Sequence, residues 1–459
     1  MIDNKTQHIV LLVIIAGLLL VTPSIIRYFN DDNYAISGET YNSIRLNTQD
    51  NYKYDILQGR MMQFNILNLI QLDGIAEDIF FSIIPTILGL LSIVLAYHVL
   101  HKHNISEKTI LVILILAVVS PIFIYTFMDF KNYPFIIFFN ILGMYFSIRN
   151  KTLLSGISFG IVPLIDAFSG IVTIALLLIY SFNSDHKRNS HNRMLLVGVL
   201  FSTIISLVLS AYNGYSLSNI FSFYMHNILT DIGALIGVSF AIIILTIIGL
   251  ILLWENGWRT LTTYIMILMM LALGLFNDTI RIYMNFVVMI YAGFALIYLN
   301  KRKWSIQLIK KTTILLIICS IFFSSLVYTT KIIRSEPTDT YIEALMTVKN
   351  QALPTEVILS SPQNGYMIEY YTNRTVFIDE SSRQYNPWKY EIMENISISR
   401  NLERTESMLQ KYNIKYIVID KEFEQYLEER EGLLFLMETS GKFTHIFINE
   451  RVNVWMYTS

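Results

Sequence analysis

Residues 236–253 have the sequence IGVSFAIIILTIIGLILL, which contains no charged side chain. A bilayer core of about 30 Å is crossed by a helix of roughly 20 mainly apolar residues, so this stretch predicts a membrane-spanning helix. The pattern is typical of a polytopic α-helical membrane protein, because similar blocks occur at about 9–26, 79–97, 109–127, 134–148, 194–211, 260–276, 282–299 and 312–330.

The composition of the whole chain favours the same class. Of its 459 residues, 54% are hydrophobic and 15% are charged, and the mean hydropathy is +0.49, whereas soluble domains contain about 25% charged residues. The net charge of −1 provides no overall basic field, so nucleic acid is not an expected partner. The single cysteine, Cys319, excludes a disulfide framework.

One apolar block, residues 153–182, is too long for a single untilted crossing. Pro163, Asp166 and Gly170 interrupt it, so we expect two short helices that meet at this break. The total is then about 11 crossings. The first is expected to be a retained signal anchor, since no small-residue cleavage site follows it.

The distribution of lysine and arginine among the short loops predicts the orientation of the chain. Basic residues occur in alternate loops, at 102–108, 149–151, 187–193, 259 and 301–311, and these loops should be cytoplasmic. The intervening loops hold only Lys131 and Arg281 and should face outward, together with the long polar segment 27–78.

The composition changes from Ser335 onward to dense charge and short alternating strands. Candidate strands at 356–360, 375–379, 415–420, 443–449 and 452–457 accompany candidate helices at 339–351, 400–412 and 421–437, a pattern typical of a small α/β domain. We therefore predict a transmembrane domain at 1–334, with its external loop at 27–78, and an external soluble α/β domain at 335–459.

Ionisable side chains near the predicted external face are candidates for chemistry, because charge at membrane depth is costly. Carboxylates there can bind a divalent cation such as Mg²⁺ or Mn²⁺ through oxygen ligands, and an arginine can clamp a phosphate. The alternative is that they are solvated residues at helix ends. The candidates are Asp31, Asp32, Glu39, Arg45, Asp129, Lys131, Asp166, Asp278 and Arg281.

Two of the polar features have specific structural alternatives. Asp166, between apolar neighbours, is equally compatible with an N-cap of the second short helix. His98, His101 and His103 have the look of a metal triplet, but they lie beside Lys102 on the predicted cytoplasmic side. An interfacial basic cluster is therefore favoured over a zinc site.

The first polar segment resembles part of a known family. Residues 38–45, GETYNSIR, are similar to the G-D-x-Y-Y-H-x-R signature of archaeal oligosaccharyltransferase catalytic subunits, and Tyr54-Asp55 is similar to the Y-D that often follows. With its acidic external loops and its C-terminal domain, the chain resembles the GT-C superfamily of glycosyltransferases, which use lipid-linked sugars. The resemblance implies a plasma-membrane protein.

The resemblance implies roles for several residues. Glu39 would be the metal ligand or acceptor base, and Asp32 in Asn30-Asp31-Asp32 is the rival alignment for that place. Asp129 falls where the family has its second acidic motif, although Lys131 replaces the second acid, and Arg281 would stabilise the departing phosphate. The remaining positions implied to bind substrate are Tyr41, Arg45, Lys131, Asp166 and Asp278.

The chain also departs from the family at one motif. Ser361, Pro362 and Gln363 stand where the two tryptophans and the aspartate that recognise the acceptor should be. The leading hypothesis is therefore a membrane glycosyltransferase that takes a sugar from a polyprenyl-phosphate donor and passes it to a glycan, lipid or protein acceptor of unknown identity. The alternative is a non-catalytic GT-C-like subunit or a lipid or polysaccharide transport component.

Overall fold

The computed structural model describes residues 4–30, 32, 40–41, 75–103, 105–183, 189–212, 237–254, 258–274, 277–380, 382, 386–427 and 432–458. These residues divide into two compact units. The helical unit takes the described parts of Met1–Arg27, Asp73–Asn213 and Leu217–Arg334, and the C-terminal unit takes those of Tyr28–Leu72 and Ser335–Ser459.

The helical unit contains a helix at each apolar block of the sequence. Many of these helices keep large apolar side chains exposed, including Leu18, Phe201 and Leu316, as expected for surfaces that face lipid. The helices are α1 (Asn4–Phe29), α2 (Ile75–Lys102), α3 (Glu107–Val119), α4 (Pro121–Met128), α5 (Asn132–Ile148), α6 (Thr152–Ile165), α7 (Ala167–Asn183), α8 (Asn189–Tyr212), α9 (Phe240–Leu252), α10 (Trp258–Gly274), α11 (Asp278–Lys301) and α12 (Gln307–Ile333).

Length and composition allow some of these helices to cross a membrane by themselves. Among the described residues, 4 helices pass this test, namely α1, α2, α11 and α12. The pair α3 and α4 is bent by 64° and raises the number to 5 if the pair is one span. Shorter apolar helices of 10–17 residues occur between them. A total of about 11 crossings thus remains a prediction.

The break between α3 and α4 and the break between α6 and α7 each have a local cause. Ser120 ends α3 and caps α4, its Oγ accepting from the Phe123 amide at 3.2 Å, and Pro121 is the first residue of α4. Pro at this position starts a helix but cannot continue one. At Asp166 the backbone is extended, so residues 152–183 form the two helices α6 and α7 that the sequence predicts.

Two glycines allow the helices at the centre of this unit to approach closely. A Cβ atom at Gly249 in α9 would collide with the carbonyl oxygen of Tyr291 in α11, and one at Gly293 in α11 would collide with the Ile113 side chain in α3. Small residues at membrane-helix contacts bring backbones together and strengthen packing. Helices α3, α9 and α11 therefore pack tightly.

The C-terminal unit contains a small mixed sheet flanked by helices on both faces. Its strand order is β2-β1-β3-β5-β4, with β2, β1 and β3 parallel and the other pairs antiparallel. The elements are α13 (Asp339–Gln351), β1 (Val357–Leu359), α14 (Gly365–Thr372), β2 (Thr375–Val376), α15 (Pro387–Ser397), α16 (Leu402–Lys411), β3 (Ile414–Asp420), α17 (Lys421–Glu424), α18 (Gly432–Thr439), β4 (Phe443–Ile448) and β5 (Val452–Tyr457).

The two faces of strand β3 supply two separate cores, because successive side chains of a strand point to opposite faces. Tyr416 and Val418 pack with α13 and α14, whereas Ile417 and Ile419 pack with α15, α16 and α18. The chain is therefore mostly helical with a small C-terminal sheet, as predicted. Helices α14 and α15 and the short extent of β2 differ from the sequence prediction.

Candidate functional site

The turn between α4 and α5 joins two of the predicted site residues. Asp129 ends α4 and Lys131 directly precedes α5. The Lys131 Nζ atom lies 3.6 Å from Asp129 Oδ2 and 4.0 Å from the centroid of the Tyr125 ring. Only 8% of the Lys131 surface is exposed. A buried ammonium group is thus held between a carboxylate and an aromatic face, both of which favour a cation.

Tyr328 of helix α12 lies beside the same turn. Tyr328 is buried, and its phenol lies close enough to interact electrostatically with Lys131, Tyr125 and Asp129. We call these four residues the Lys131 cluster. Because Asp129 and Lys131 together carry no net charge, an additional anion is attracted only where it lies nearer to the Lys131 ammonium group than to the Asp129 carboxylate.

Arg281 lies in the first turn of α11. Asn277 caps this helix, its Oδ1 accepting from the Ile280 amide at 3.3 Å. The Arg281 Cγ atom lies 3.5 Å from where a Cβ on Gly274 would be, so its stem packs along the end of α10. Asp278 is the first residue of the same helix. The predicted arginine is therefore fixed at a helix start near the break that follows α10.

Asp166 acts as a helix cap in this structure. Its Oδ2 accepts from the Ser169 amide at 2.7 Å, in the first turn of α7. The carboxylate also interacts electrostatically with Tyr283 of α11, whose hydroxyl bonds to Asn140 at 3.0 Å and contacts Thr173 at 3.2 Å. This buried polar network ties the α6–α7 break to α11, two residues beyond Arg281.

Asp32 and Tyr41, from the first polar segment, belong to the C-terminal unit. Asp32 Oδ1 accepts from the Asp339 amide at 3.1 Å, and a carboxylate at the start of α13 is favourable because a helix N-terminus carries a partial positive charge. Tyr41 is 2% exposed, its hydroxyl contacts that of Tyr371 at 3.3 Å, and its ring also packs against Tyr370. Both residues have structural partners.

A second polar cluster, which the sequence does not single out, lies at the carboxyl edge of the parallel strands. Asp420 ends β3 and is fully buried. Its Oδ2 accepts from the Tyr341 hydroxyl and from Asn364 Nδ2, each at 2.8 Å, and its Oδ1 accepts from the Phe423 amide at 2.7 Å. The sequence could have indicated this cluster only by the position of Asp420 after a strand, because the loops that follow parallel strands converge at one edge of a sheet.

Burial changes the acid–base properties around Asp420. It raises the pKa of the nearby Glu336 carboxyl, although hydrogen bonds from Thr338 and the charge of Arg451 act in the opposite direction. Burial and the adjacent Asp420 carboxylate raise the pKa of Tyr341 well above its usual value. The phenol therefore stays protonated and donates to Asp420.

The remaining predicted site residues lie outside the described part of the chain. These are Asp31, Glu39 and Arg45. Among the residues with described side chains, there is no group of three His, Cys, Asp or Glu that could hold a metal ion. Asp129, the one predicted metal ligand within that part, pairs with Lys131.

The structure is similar to solved structures of two other proteins. The archaeal oligosaccharyltransferase AglB from Archaeoglobus fulgidus, in complex with an inhibitory peptide and a dolichol-phosphate, matches with a TM-score of 0.61 and 13% identity over 92% of this chain and 70% of that chain. ArnT from Cupriavidus metallidurans, bound to undecaprenyl phosphate, matches with a TM-score of 0.54 and 11% identity over 99% of this chain and 98% of that chain.

A further structure of the Archaeoglobus fulgidus enzyme, in complex with zinc and sulfate, matches with a TM-score of 0.59 and 14% identity over 97% of this chain and 73% of that chain. No protein-family model matches the sequence, and no curated protein matches it either. At these identities the likeness concerns the fold. The chain has a fold like those of AglB and ArnT.

Proposed function

We propose that the chain is a membrane glycosyltransferase that transfers a sugar from a polyprenyl-phosphate-linked donor to a glycan, lipid or protein acceptor on the external face of the plasma membrane. The fold similarity extends over nearly the whole of ArnT, a protein whose structure holds undecaprenyl phosphate. The observation that carries the proposal is the buried Lys131 ammonium group beside Asp129.

Glycosyl transfer from such a donor needs positive charge at the leaving group. The acceptor nucleophile forms a bond to the anomeric carbon, while the bond from that carbon to the phosphate oxygen breaks and its electron pair stays on the phosphate. Preorganised cations lower the barrier to this charge development. We assign this task to Lys131 in its low-dielectric setting and to Arg281, whose planar fork suits a phosphate.

The proton of the acceptor needs a base, and we assign it to Glu39. A positioned carboxylate contributes about 10²–10⁴ in rate as a general base. Asp32 remains the rival position, but its Oδ1 already accepts from the Asp339 amide at the start of α13. This structural bond favours Glu39 over Asp32 as the reactive carboxylate.

A divalent cation, which the resemblance implies at Glu39 and Asp129, would act as a Lewis acid on the phosphate. The described residues do not fit such a centre, because the Asp129 carboxylate is paired with the Lys131 ammonium group at 3.6 Å. Lys131 competes with a metal for that carboxylate. The chemistry derived above therefore depends on the side-chain cations.

The test uses purified full-length protein in lipid nanodiscs. Transfer is measured from a panel of radiolabelled polyprenyl-phosphate sugars, and binding of undecaprenyl phosphate is measured separately by native mass spectrometry. We expect Lys131→Met to lower the transfer rate by about 10²-fold or more and to weaken undecaprenyl phosphate binding, since it removes a charge and keeps the length of the side chain.

Two control variants separate charge from folding. Lys131→Arg keeps the cation and should retain most binding, and Lys108→Met removes an exposed lysine from the start of α3 and should match the wild type. If Lys131→Met transferred sugar as fast as the wild type, the assigned role would be wrong.

A second candidate is a non-catalytic GT-C-like subunit or a transport component. The hydrogen bond of Asp32 and the burial of Tyr41 favour this candidate. Both residues belong to the first polar segment, and both have structural roles there. A wild-type protein that binds undecaprenyl phosphate but transfers sugar from no donor would support this candidate and contradict the glycosyltransferase proposal.

A further inference from the structure

A cavity of about 800 Å³ lies at the end of the helical unit where α1 begins, α2 ends and α5 turns into α6. None of its lining residues belongs to the Lys131 cluster. We call it the basic cavity, because its walls include His98, His101, Lys102, Arg149 and Lys151, together with Tyr97 and Tyr145.

Two local structures bring these basic residues together. His98, His101 and Lys102 are spaced i, i+3 and i+4 in the last turns of α2, so they share one face of that helix. Arg149 and Lys151 flank Asn150, whose φ of 57° is the left-handed conformation that closes the short α5–α6 turn. The end of α2 and the α5–α6 turn thus place their basic side chains around the same cavity.

Aromatic rings fix the positions of the basic side chains. The Arg149 guanidinium carbon lies 4.5 Å from the centroid of the Tyr145 ring, and the His98 ring lies 6.1 Å from the same ring. The His101 ring lies 6.2 Å from that of Tyr97, which is buried. A cation over an aromatic face is held in place without losing its charge.

The described residues that line the basic cavity include basic but no acidic side chains. None of the residues that line it in the described part of the chain is an aspartate or a glutamate, whereas Lys102, Arg149 and Lys151 are cationic side chains. Like charges gathered in a concave site raise the local concentration of anions. Lys102, Arg149 and Lys151 are exposed, as residues that snorkel from helix ends are, and they also line one common cavity.

The basic cavity shares one lining residue with a second, mostly apolar cavity. Val99 lines both the basic cavity and a second cavity of about 450 Å³. Leu100, Ile113, Met144 and Leu177 are among the apolar residues around the second cavity. A ligand with an anionic head and a hydrocarbon tail matches this pair of surfaces.

We propose that the basic cavity binds the phosphate group of an anionic phospholipid, on the face of the helical unit that the charge distribution predicts to be cytoplasmic. Arg149 provides a fork for the phosphate oxygens, and Lys102 and Lys151 add charge. Each basic residue near a membrane surface strengthens binding of anionic lipid. This binding is separate from sugar transfer, because it needs neither the donor nor the Lys131 cluster.

The test measures lipid binding to the full-length protein by native mass spectrometry, with phosphatidylglycerol and phosphatidylcholine as matched probes. We expect the wild type to prefer phosphatidylglycerol and the double variant Arg149→Gln with Lys151→Gln to bind it roughly 30-fold more weakly. The control pair, Lys303→Gln with Lys310→Gln, removes two lysines that are not among the lining residues and should weaken binding much less than the cavity pair does.

Two further arms identify the source of the phosphate and exclude misfolding. Glycerol 3-phosphate at millimolar concentration should compete only weakly if the tail contributes to binding; if it displaced the lipid fully at low concentration, the phospholipid assignment would be overturned. The double variant Arg149→Lys with Lys151→Arg keeps both positive charges and should retain phosphatidylglycerol binding. Equal binding of both lipids by the wild type, or unchanged phosphatidylglycerol binding by the glutamine pair, would contradict the proposal.

Discussion

Glu336 couples the stability of the C-terminal unit to pH. Burial raises its pKa, and the nearby Asp420 carboxylate adds to this effect. An acid whose pKa is raised in the folded state binds its proton more tightly there, so the free energy of unfolding falls as pH rises from about 4.3, the unfolded value, through the folded pKa. Above that window the ionised carboxylate reduces stability.

The variant Glu336→Gln tests this coupling because it cannot ionise. We expect its melting temperature to exceed that of the wild type at neutral pH and the difference to disappear below about pH 4, as measured by thermal unfolding of the full chain between pH 4 and pH 7. Glu343→Gln, at an exposed position of α13, is the matched control. A stability difference that did not change with pH would refute the coupling.

Asp166 offers a test that separates a structural role from a substrate-binding role. Its bond to the Ser169 amide is that of a helix N-cap, and replacing such a cap by alanine costs about 1 kcal/mol. We therefore expect Asp166→Ala to lower the thermal stability of the protein and Asp166→Asn, which can still cap, to preserve it. Full stability of Asp166→Asn combined with loss of undecaprenyl phosphate binding would instead indicate contact with substrate.

Some residues of the candidate site can be identified from the sequence more easily than others. Asp129 and Lys131 stand out as charges between two apolar blocks, and the structure brings them within 3.6 Å of each other because they flank one short turn. Tyr328 could not be found in this way, since it reaches the same place from a helix far along the chain. Asp420 and Tyr341 also meet only through the sheet and helix packing.

At the scale of elements, the close approach of α9 and α11 depends on a glycine. A methyl group at Gly249 would collide with the Tyr291 carbonyl oxygen, which belongs to the backbone and cannot rotate away. We expect Gly249→Ala to destabilise the helical unit by about 1–3 kcal/mol, seen as a lower melting temperature in detergent. Gly198→Ala in α8 has open space around the added methyl group and should be neutral or slightly stabilising.

The elements that the sequence misses are those without a periodic apolar pattern. Helix α14 starts at Gly365, and consecutive residues from Gly365 to Glu369 are buried, so it shows no alternation between an exposed and a buried face. In α15 only Met393, Ile396 and Ser397 are buried. Tertiary contacts, not local sequence, stabilise these two helices.

At the scale of the whole molecule, the C-terminal unit is assembled from two distant parts of the chain. The prediction assigns the polar segment 27–78 to the transmembrane domain, yet Asp32 accepts from the first amide of α13 and Tyr41 packs in a core that contains Tyr341, Leu345 and Val418. Burial of the Tyr41 ring and the position of the Asp32 carboxylate at a helix start both stabilise the folded unit. The first polar segment thus contributes to folding of this unit as well as to the proposed chemistry.

The sequence by itself determined that the chain is mostly helical, the positions of the apolar helices and the presence of a small C-terminal sheet, because bilayer thickness and strand alternation leave direct periodic signals. Only the tertiary structure decided which charges meet. The Lys131 cluster, the contacts of Asp420 with Tyr341 and Asn364, and the basic cavity each combine residues from separate elements. The energy of such contacts depends on distance and burial, which local sequence patterns do not encode.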